Sequence, residues 1–189
     1  TDEGTSIYAD ALCADGSSMV TEFIYWSDYY NSIISPFYSY STGRTKETLR
    51  SSQVTCRDID DDGYIEIPED TSSKKQSSEI TSQNWVNYGN TVLSHKCYSF
   101  SCKRDGYILV IDDDDFSKVK ANYDSESRKL TIIDKKNKSN VFEIVTLINS
   151  NYSVNDPKYK DYTMIMKNSG FVYLAKVNKS SDIDINIQT

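Results

Sequence analysis

Short segments rich in apolar and β-branched residues recur along most of the chain, and some of them alternate with a period of two, which predicts β-strands. The pattern is clearest after residue 84, where short apolar segments rich in Val, Ile, Tyr and Phe are separated by turn-forming sequences. Short connections between consecutive strands favour an antiparallel arrangement. The strands predicted in this half span 85–89, 91–101, 106–111, 118–124, 129–134, 141–148, 162–167 and 171–177, with one more edge strand at 180–189.

The first half contains fewer segments with the apolar pattern of a strand. Residues 7–16 predict a strand or a short helix, and Pro36 marks an edge or bulge position within a later strand. About four short strands in this half predict one antiparallel sheet with a small core. The other strands predicted here span 19–26, 33–40, 51–59 and 63–68.

A polar segment at 71–83 divides the two halves, and its sequence TSSKKQSSEITSQ offers almost nothing for a hydrophobic core. We interpret it as a linker or long loop between a β segment at 1–70 and an antiparallel β domain at 84–189. Helix is expected only at 112–119, where DDDDFSKV can begin a short one. The predicted fold class is mainly β with antiparallel strands, and α+β at most.

Composition narrows the functional classes. The 189 residues include 15 Tyr and one His, carry a net charge of −7, and contain no apolar run long enough to span a membrane. An acidic surface repels phosphate backbones, so a nucleic-acid partner is not expected. The sequence has no glycine-rich phosphate loop and no G-x-S-x-G motif, and we predict that the protein is not an enzyme.

Three other groups of residues allow more than one interpretation. The four cysteines fit reduced thiols, although Cys97 and Cys102 could also close a local disulfide, and His95 with these two cysteines lacks a fourth zinc ligand. The aspartates at 112–115 are interpreted as helix-capping residues rather than a second calcium site. The aromatic residues Tyr29, Tyr30, Phe37, Tyr38 and Tyr40 are interpreted as sheet-packing residues rather than a sugar-binding platform.

The most specific motif is an acidic loop at residues 58–66, with the sequence DIDDDGYIE. Its aspartates recur at every second position before a glycine, the D-x-D-x-D-G pattern that wraps a hard cation. Calcium takes six to eight oxygen ligands, and clustered carboxylates repel one another without a cation. The sequence therefore predicts a Ca²⁺ site, the alternative being a solvated acidic turn. The predicted ligands are the carboxylates of Asp58, Asp60, Asp62 and Glu66 and the backbone carbonyl of Tyr64.

An EF-hand also fits the spacing, because Glu69 falls at its twelfth position. That motif needs a helix on each side of the loop, whereas alternating residues follow this loop and Pro68 opposes a helix. We therefore predict a strand–loop–strand site in which Glu66 rather than Glu69 is the last ligand.

Residues 19–68 resemble one blade of an FG-GAP or VCBS-type β-propeller, whose repeats carry a D-x-D-x-D-G-x-x-[DE] calcium loop between strands. The segment DGYIEIP is similar to exported proteins and lipoproteins of Gram-positive bacteria. Residues 84–189 more weakly resemble a PsbP-like domain. The blade resemblance implies an extracellular or cell-surface location, with lipid anchoring as one form of it, and neighbouring blades in a longer protein of which this chain is the C-terminal part.

Together these features predict a non-catalytic, calcium-binding extracellular or cell-surface protein with an unknown protein or glycan ligand. The alternatives are an accessory domain of an extracellular hydrolase and a metal-free assembly factor or lipoprotein.

Overall fold

The structure is a computed structural model that describes residues 5–39, 41–45, 48–71, 79–89, 92–153 and 155–178. These residues form fourteen β-strands, one single-turn α-helix and two 3₁₀ turns. The strands are β1 (Ser6–Leu12), β2 (Met19–Ser27), β3 (Ser32–Ile34), β4 (Tyr38–Ser39), β5 (Arg44–Thr45), β6 (Ile67–Asp70), β7 (Ile80–Gly89), β8 (Val92–Cys102), β9 (Tyr107–Ile111), β10 (Val119–Asp124), β11 (Lys129–Asp134), β12 (Asn140–Ile148), β13 (Thr163–Lys167) and β14 (Phe171–Val177). The helix α1 spans Asp113–Phe116, and the 3₁₀ turns span Asn149–Asn151 and Pro157–Tyr159.

The strands form sheets in the orders β1-β2-β3, β4-β5, β6-β7-β8-β9 and β10-β11-β12-β14-β13. Every pairing whose register is defined is antiparallel. The predicted mainly-β, antiparallel fold class is confirmed. None of the helices in the described residues has the length and apolar character that a membrane-spanning helix needs.

The chain divides into two compact units. The first unit comprises Thr1–Ser73 and Ser82–Tyr98, and the second comprises Lys74–Thr81 and Ser99–Thr189. The sequence-based division places 84–98 in the second half, whereas their contacts group them with the first unit.

Each unit has its own hydrophobic core. Strand β2 buries alternate residues, and its Phe23 packs with Phe37, Cys56, Ile67 and Val86 in the first unit. The larger core of the second unit is formed by residues from β7 to β14, which include Ile80, Phe100, Leu130, Ile132 and Phe142. The two cores contain the β-branched and aromatic residues that favour strands.

The second half follows the sequence prediction closely. Strands β11 and β14 have the predicted bounds, and α1 lies inside the segment predicted to start a helix. Strand β7 begins earlier than predicted, at Ile80, and that residue and Gln83 are buried. The assignment of 71–83 as a linker or loop is therefore wrong at its C-terminal end, where residues 80–83 belong to β7. Residues 72–78 lie outside the described residues. The predicted edge strand at 180–189 also lies outside them.

The first half departs further from the prediction. Residues 7–16 begin as a strand, β1. The segment 33–40 forms two short strands on either side of Pro36 rather than one, and 51–59 forms no strand. Proline lacks the N–H that a ladder requires, so the interruption lies where the chain cannot donate a hydrogen bond. Residues 19–68 therefore distribute their strands over more than one sheet, whereas one sheet was predicted.

Candidate metal centre

The acidic loop, residues 58–66, is closed at its base by a β-bridge between Arg57 and Glu66. The two backbone hydrogen bonds of this bridge measure 3.2 Å, from Arg57 N to Glu66 O, and 2.9 Å, from Glu66 N to Arg57 O. Within the loop, Asp61 and Gly63 have φ angles of 59° and 88°. Such left-handed φ angles permit a tight reversal of the chain, and glycine adopts them without steric cost.

Asp58 holds the loop in its curved shape. One oxygen of its carboxylate accepts the backbone N–H of Asp62 at 3.1 Å, and the other accepts that of Gly63 at 2.8 Å. Aspartate commonly stabilises turns by binding backbone N–H groups a few residues ahead. Because each carboxylate oxygen has two lone pairs, the Asp58 side chain can still bind a cation.

Three carboxylates converge inside this loop. One oxygen each from Asp58, Asp60 and Glu66 lies within 4.8 Å of the other two. Among the residues that the structure describes, this is the one group of His, Cys, Asp and Glu side chains with such spacing. Like charges at this separation disfavour one another's ionised form, and a cation relieves the repulsion.

Glu66 is the most unusual member of the group, because its side chain is fully buried. Its Oε2 accepts the backbone N–H of Ile59 at 2.9 Å, whereas Oε1 is buried and has no hydrogen-bond partner. Burial raises the pKa of the Glu66 carboxyl, and the charges of Asp62 and Asp60 add to this effect. A buried carboxylate with a free oxygen requires a proton or a cation.

Lys96, on β8, is the main functional residue that sequence reasoning missed. Its Nζ lies 2.8 Å from Asp60 Oδ2 and 2.6 Å from Asp62 Oδ2. These contacts raise the pKa of Lys96, and the hydrogen bond from Lys96 lowers that of Asp62. Nothing in the local sequence links β8 to the loop, because only the folded chain brings them together.

The predicted ligands thus separate into two groups. Asp58, Asp60 and Glu66 are brought together, and Asp60 also pairs with Lys96. Asp62 lies outside this group of three, where it pairs with Lys96 and accepts the backbone N–H of Tyr64 at 2.9 Å. The role of the Tyr64 carbonyl as a ligand stays a prediction. Glu69, the alternative ligand, lies on β6, where its Oε2 accepts a hydrogen bond from the Asn84 side chain at 2.8 Å.

Other candidate groups show no metal-binding geometry within the described part of the chain. None of the four cysteines forms a disulfide bond, as the reduced-thiol interpretation predicts, and His95 contacts Asn84 through Nδ1. Asp112 precedes α1 but makes no capping hydrogen bond with its side chain, so the predicted capping role is wrong. The backbone carbonyl of Asp112 instead accepts the N–H groups of Asp115 and Phe116, each at 2.9 Å.

The predicted packing of the first-half aromatic residues is only partly correct. Phe37 is buried, but Tyr29 and Tyr30 are 86% and 65% exposed at the turn between β2 and β3. Tyr38 is 41% exposed, and Tyr40 lies outside the described residues. The strand pattern that predicted burial ends at Ser27, one residue before this turn begins.

Comparisons of the chain with protein-family models, with curated proteins and with solved structures gave no match. The resemblances to propeller blades and to PsbP-like domains therefore stay predictions.

Proposed function

We propose that this chain is a non-catalytic, calcium-binding protein of the cell exterior, in which the cation stabilises the first unit. One observation carries the proposal: the free, buried Oε1 of Glu66 lies in the same loop as the converging carboxylates of Asp58 and Asp60. A cation bound between these three side chains would give the unpartnered oxygen a ligand and remove the repulsion.

The charge of the loop favours a divalent cation. The carboxylates of Asp58, Asp60, Asp61, Asp62 and Glu66 carry five negative charges when all are ionised, and Lys96 supplies one positive charge, which leaves four uncompensated. The ligand atoms are all oxygens, which suit hard cations rather than zinc. A flexible loop with several carboxylates fits Ca²⁺ better than Mg²⁺, which keeps its water shell and demands octahedral geometry.

The position of the loop explains how a cation would stabilise the fold. Glu66 is followed directly by Ile67, a fully buried residue of the first hydrophobic core. The bridge between Arg57 and Glu66 ties the other end of the loop to the same point. Fixing the loop would therefore restrain the start of β6, which pairs with β7.

We expect calcium to raise the melting temperature of the wild-type protein. Extracellular calcium modules bind at roughly 10⁻⁴–10⁻³ M, and Ca²⁺ at about ten times the dissociation constant adds about 1.4 kcal/mol of stability. For a unit of this size the shift is about 5–10 °C. The measurement is a thermal melt in 10 mM CaCl₂ (about ten times the weakest expected constant), in EDTA and in MgCl₂.

The matched variants are Asp60→Asn and Asp114→Asn, which remove one acidic charge each. Asp114 is an exposed residue of α1 in the second unit. Asp60→Asn should lose most of the calcium-dependent rise in melting temperature, and Asp114→Asn should keep this rise. Equal melting temperatures of the wild type in calcium and in EDTA would refute the calcium site.

The pairing of Lys96 leads to a second prediction. Its ammonium group competes with the cation for Asp60 and Asp62, so Lys96→Met should bind calcium about three- to tenfold more tightly. Calorimetric titration with CaCl₂ measures this directly. Lys120→Met, which removes an exposed lysine of β10, is the control for the change in net charge and should bind calcium as the wild type does. Weaker calcium binding by Lys96→Met would mean that Lys96 builds the site rather than opposing the cation.

The proposed location agrees with the state of the buried cysteines. Burial is the main cause that raises the pKa of the Cys56 thiol to about 12, and it also raises that of Cys102. Thiols with raised pKa values stay protonated and react slowly with oxidants or disulfides. These two cysteines can therefore remain reduced outside the cell, where calcium concentrations suit a weak site.

A further inference from the structure

A cleft of about 570 Å³ lies in the first unit, and one of its walls is the acidic loop. Its size falls within the range of small-molecule binding sites. The side chains that matter for recognition are aromatic or polar, and they come from the loop and from strands β1, β2 and β7. They are Tyr8, Phe23, Asp62, Tyr64, Asn87 and Tyr88.

The aromatic rings of the cleft are held by one another. Phe23 is 5% exposed, and its ring centroid lies 6.4 Å from that of Tyr8, in a stacked arrangement, and 6.1 Å from that of Tyr88. The Tyr88 hydroxyl is 3.3 Å from that of Tyr25, which fixes the far end of its ring. Tyr8 and Tyr64 are 40% and 52% exposed, so they offer accessible apolar faces with little loss of side-chain entropy on binding.

Asn87 supplies a polar group that lacks a partner. Its Oδ1 is buried and accepts no hydrogen bond, although the residue lines the cleft. A buried acceptor without a partner is unfavourable, so a ligand that donates a hydrogen bond there would gain affinity. The cleft therefore calls for a ligand with an apolar face and hydrogen-bond donors.

The charges at the cleft favour a neutral ligand. Asp62 is the charged residue among those that line it, and its carboxylate is already paired with Lys96 at 2.6 Å. A bound calcium ion would place further positive charge at the same carboxylate. The uncompensated carboxylates of the acidic loop would repel an anionic ligand, and a calcium ion bound there would repel an organic cation, which an aromatic cage otherwise suits.

We infer that this cleft binds a neutral saccharide, whose C–H face would stack on Tyr8 and Tyr64 and one of whose hydroxyls would donate to Asn87 Oδ1. A sugar combines an apolar ring face with hydroxyl donors and carries no charge, as the lining requires. The inference supplies the ligand class that the proposed function leaves open. The proposed sugar contacts come from the side chains of Tyr8, Tyr64 and Asn87, none of which is a predicted calcium-ligating group, so the two proposals can fail separately.

The test is binding of the full chain to an array of neutral mono- and disaccharides and neutral glycans, in calcium and in EDTA, with choline and lysine as cationic comparisons. Each sugar that binds on the array is then titrated against the wild type and against the variants Tyr8→Ala, Asn87→Leu and Tyr29→Ala. Tyr29 is the matched control, because it is an exposed tyrosine of the same unit that does not line the cleft.

We expect at least one neutral sugar to bind, and Tyr8→Ala and Asn87→Leu each to weaken it by about tenfold or more, while Tyr29→Ala leaves it unchanged. A sugar that binds equally in calcium and EDTA would support the cleft even if the metal proposal failed. Absence of any neutral-sugar binding, preference for choline or lysine, or loss of binding in Tyr29→Ala alone would overturn the inference. Thermal melts of each variant separate loss of binding from loss of folding.

Discussion

Arg50→Met is expected to lower the free energy of unfolding of the first unit by about 3–5 kcal/mol, because it leaves a largely buried carboxylate without its counter-charge. The Arg50 side chain is fully buried and its Nη2 lies 2.9 Å from Asp10 Oδ1, in an aspartate side chain that is only 11% exposed. The guanidinium also donates to Thr21 Oγ1 at 2.8 Å and to the Val54 carbonyl at 2.8 Å. Methionine replaces none of these bonds.

Asp10 depends on this environment for its charge. Burial disfavours the ionised form, but hydrogen bonds from the Thr21 hydroxyl, the Cys56 backbone N–H and Arg50 outweigh burial and hold the pKa of Asp10 below its usual value. The Cys56 N–H donates to Asp10 Oδ2 at 2.8 Å. Loss of Arg50 therefore weakens a network that also fixes the backbone just before the acidic loop.

Tryptophan fluorescence during urea unfolding measures this effect selectively, because both tryptophans of the chain, Trp26 and Trp85, lie in the first unit. Arg44→Met, which removes an exposed arginine, is the matched control and should change stability by less than about 0.5 kcal/mol. The double variant Asp10→Leu with Arg50→Met should recover part of the loss, because it removes the unpaired charge. If Arg50→Met unfolds at the wild-type urea concentration, the network does not stabilise the unit.

The same network explains why the strand predicted at 51–59 is absent. Its backbone groups find side-chain partners instead of a neighbouring strand: Cys56 N–H binds Asp10, and the Val54 carbonyl accepts from Arg50. The backbone N–H groups of Ser51 and Ser52 donate to Asp70. Such partners come from distant parts of the chain, so alternation within the segment itself could not indicate them.

Prediction was successful where local pattern decides the structure. Strands β11 and β14 could be located because each is a short segment rich in β-branched or aromatic residues, with turn residues at both ends. The convergence of Asp58, Asp60 and Glu66 followed from their spacing around Gly63. In contrast, the pairing of Asp62 with Lys96 depends on the approach of β8 to the loop, which no local signal encodes.

Asp105→Ala is expected to destabilise the second unit by about 3–5 kcal/mol, because it removes the acceptor from another buried ion pair. The Asp105 side chain is fully buried, and its Oδ1 accepts a hydrogen bond from Arg128 Nε at 2.7 Å. Its Oδ2 accepts from the Tyr123 hydroxyl at 2.8 Å, while its backbone carbonyl accepts from the Tyr173 hydroxyl at 2.8 Å. One residue thereby connects β10, the turn before β11 and strand β14.

Arg128 is held in a conformation that depends on Asp105. Its φ angle is 49°, a left-handed value that a side chain with a Cβ adopts at a cost, and its guanidinium lies 4.5 Å above the ring of Phe171. The Arg128 carbonyl accepts the backbone N–H of Thr146 at 3.0 Å. Without Asp105, the guanidinium would keep the ring contact, and the turn between β10 and β11 would lose its link to Asp105.

Hydrogen–deuterium exchange with mass spectrometry measures this prediction by segment. Amides of β10 to β14 should exchange faster in Asp105→Ala, and urea unfolding followed by circular dichroism should give the loss of free energy. Asp105→Asn keeps the size of the side chain and one acceptor oxygen, so its free energy of unfolding should fall less. Asp114→Ala, at an exposed aspartate of the same unit, should leave the free energy of unfolding almost unchanged. If the amides of β10 to β14 exchange at the same rate in Asp105→Ala as in the wild type, the aromatic and aliphatic core holds this unit without the ion pair.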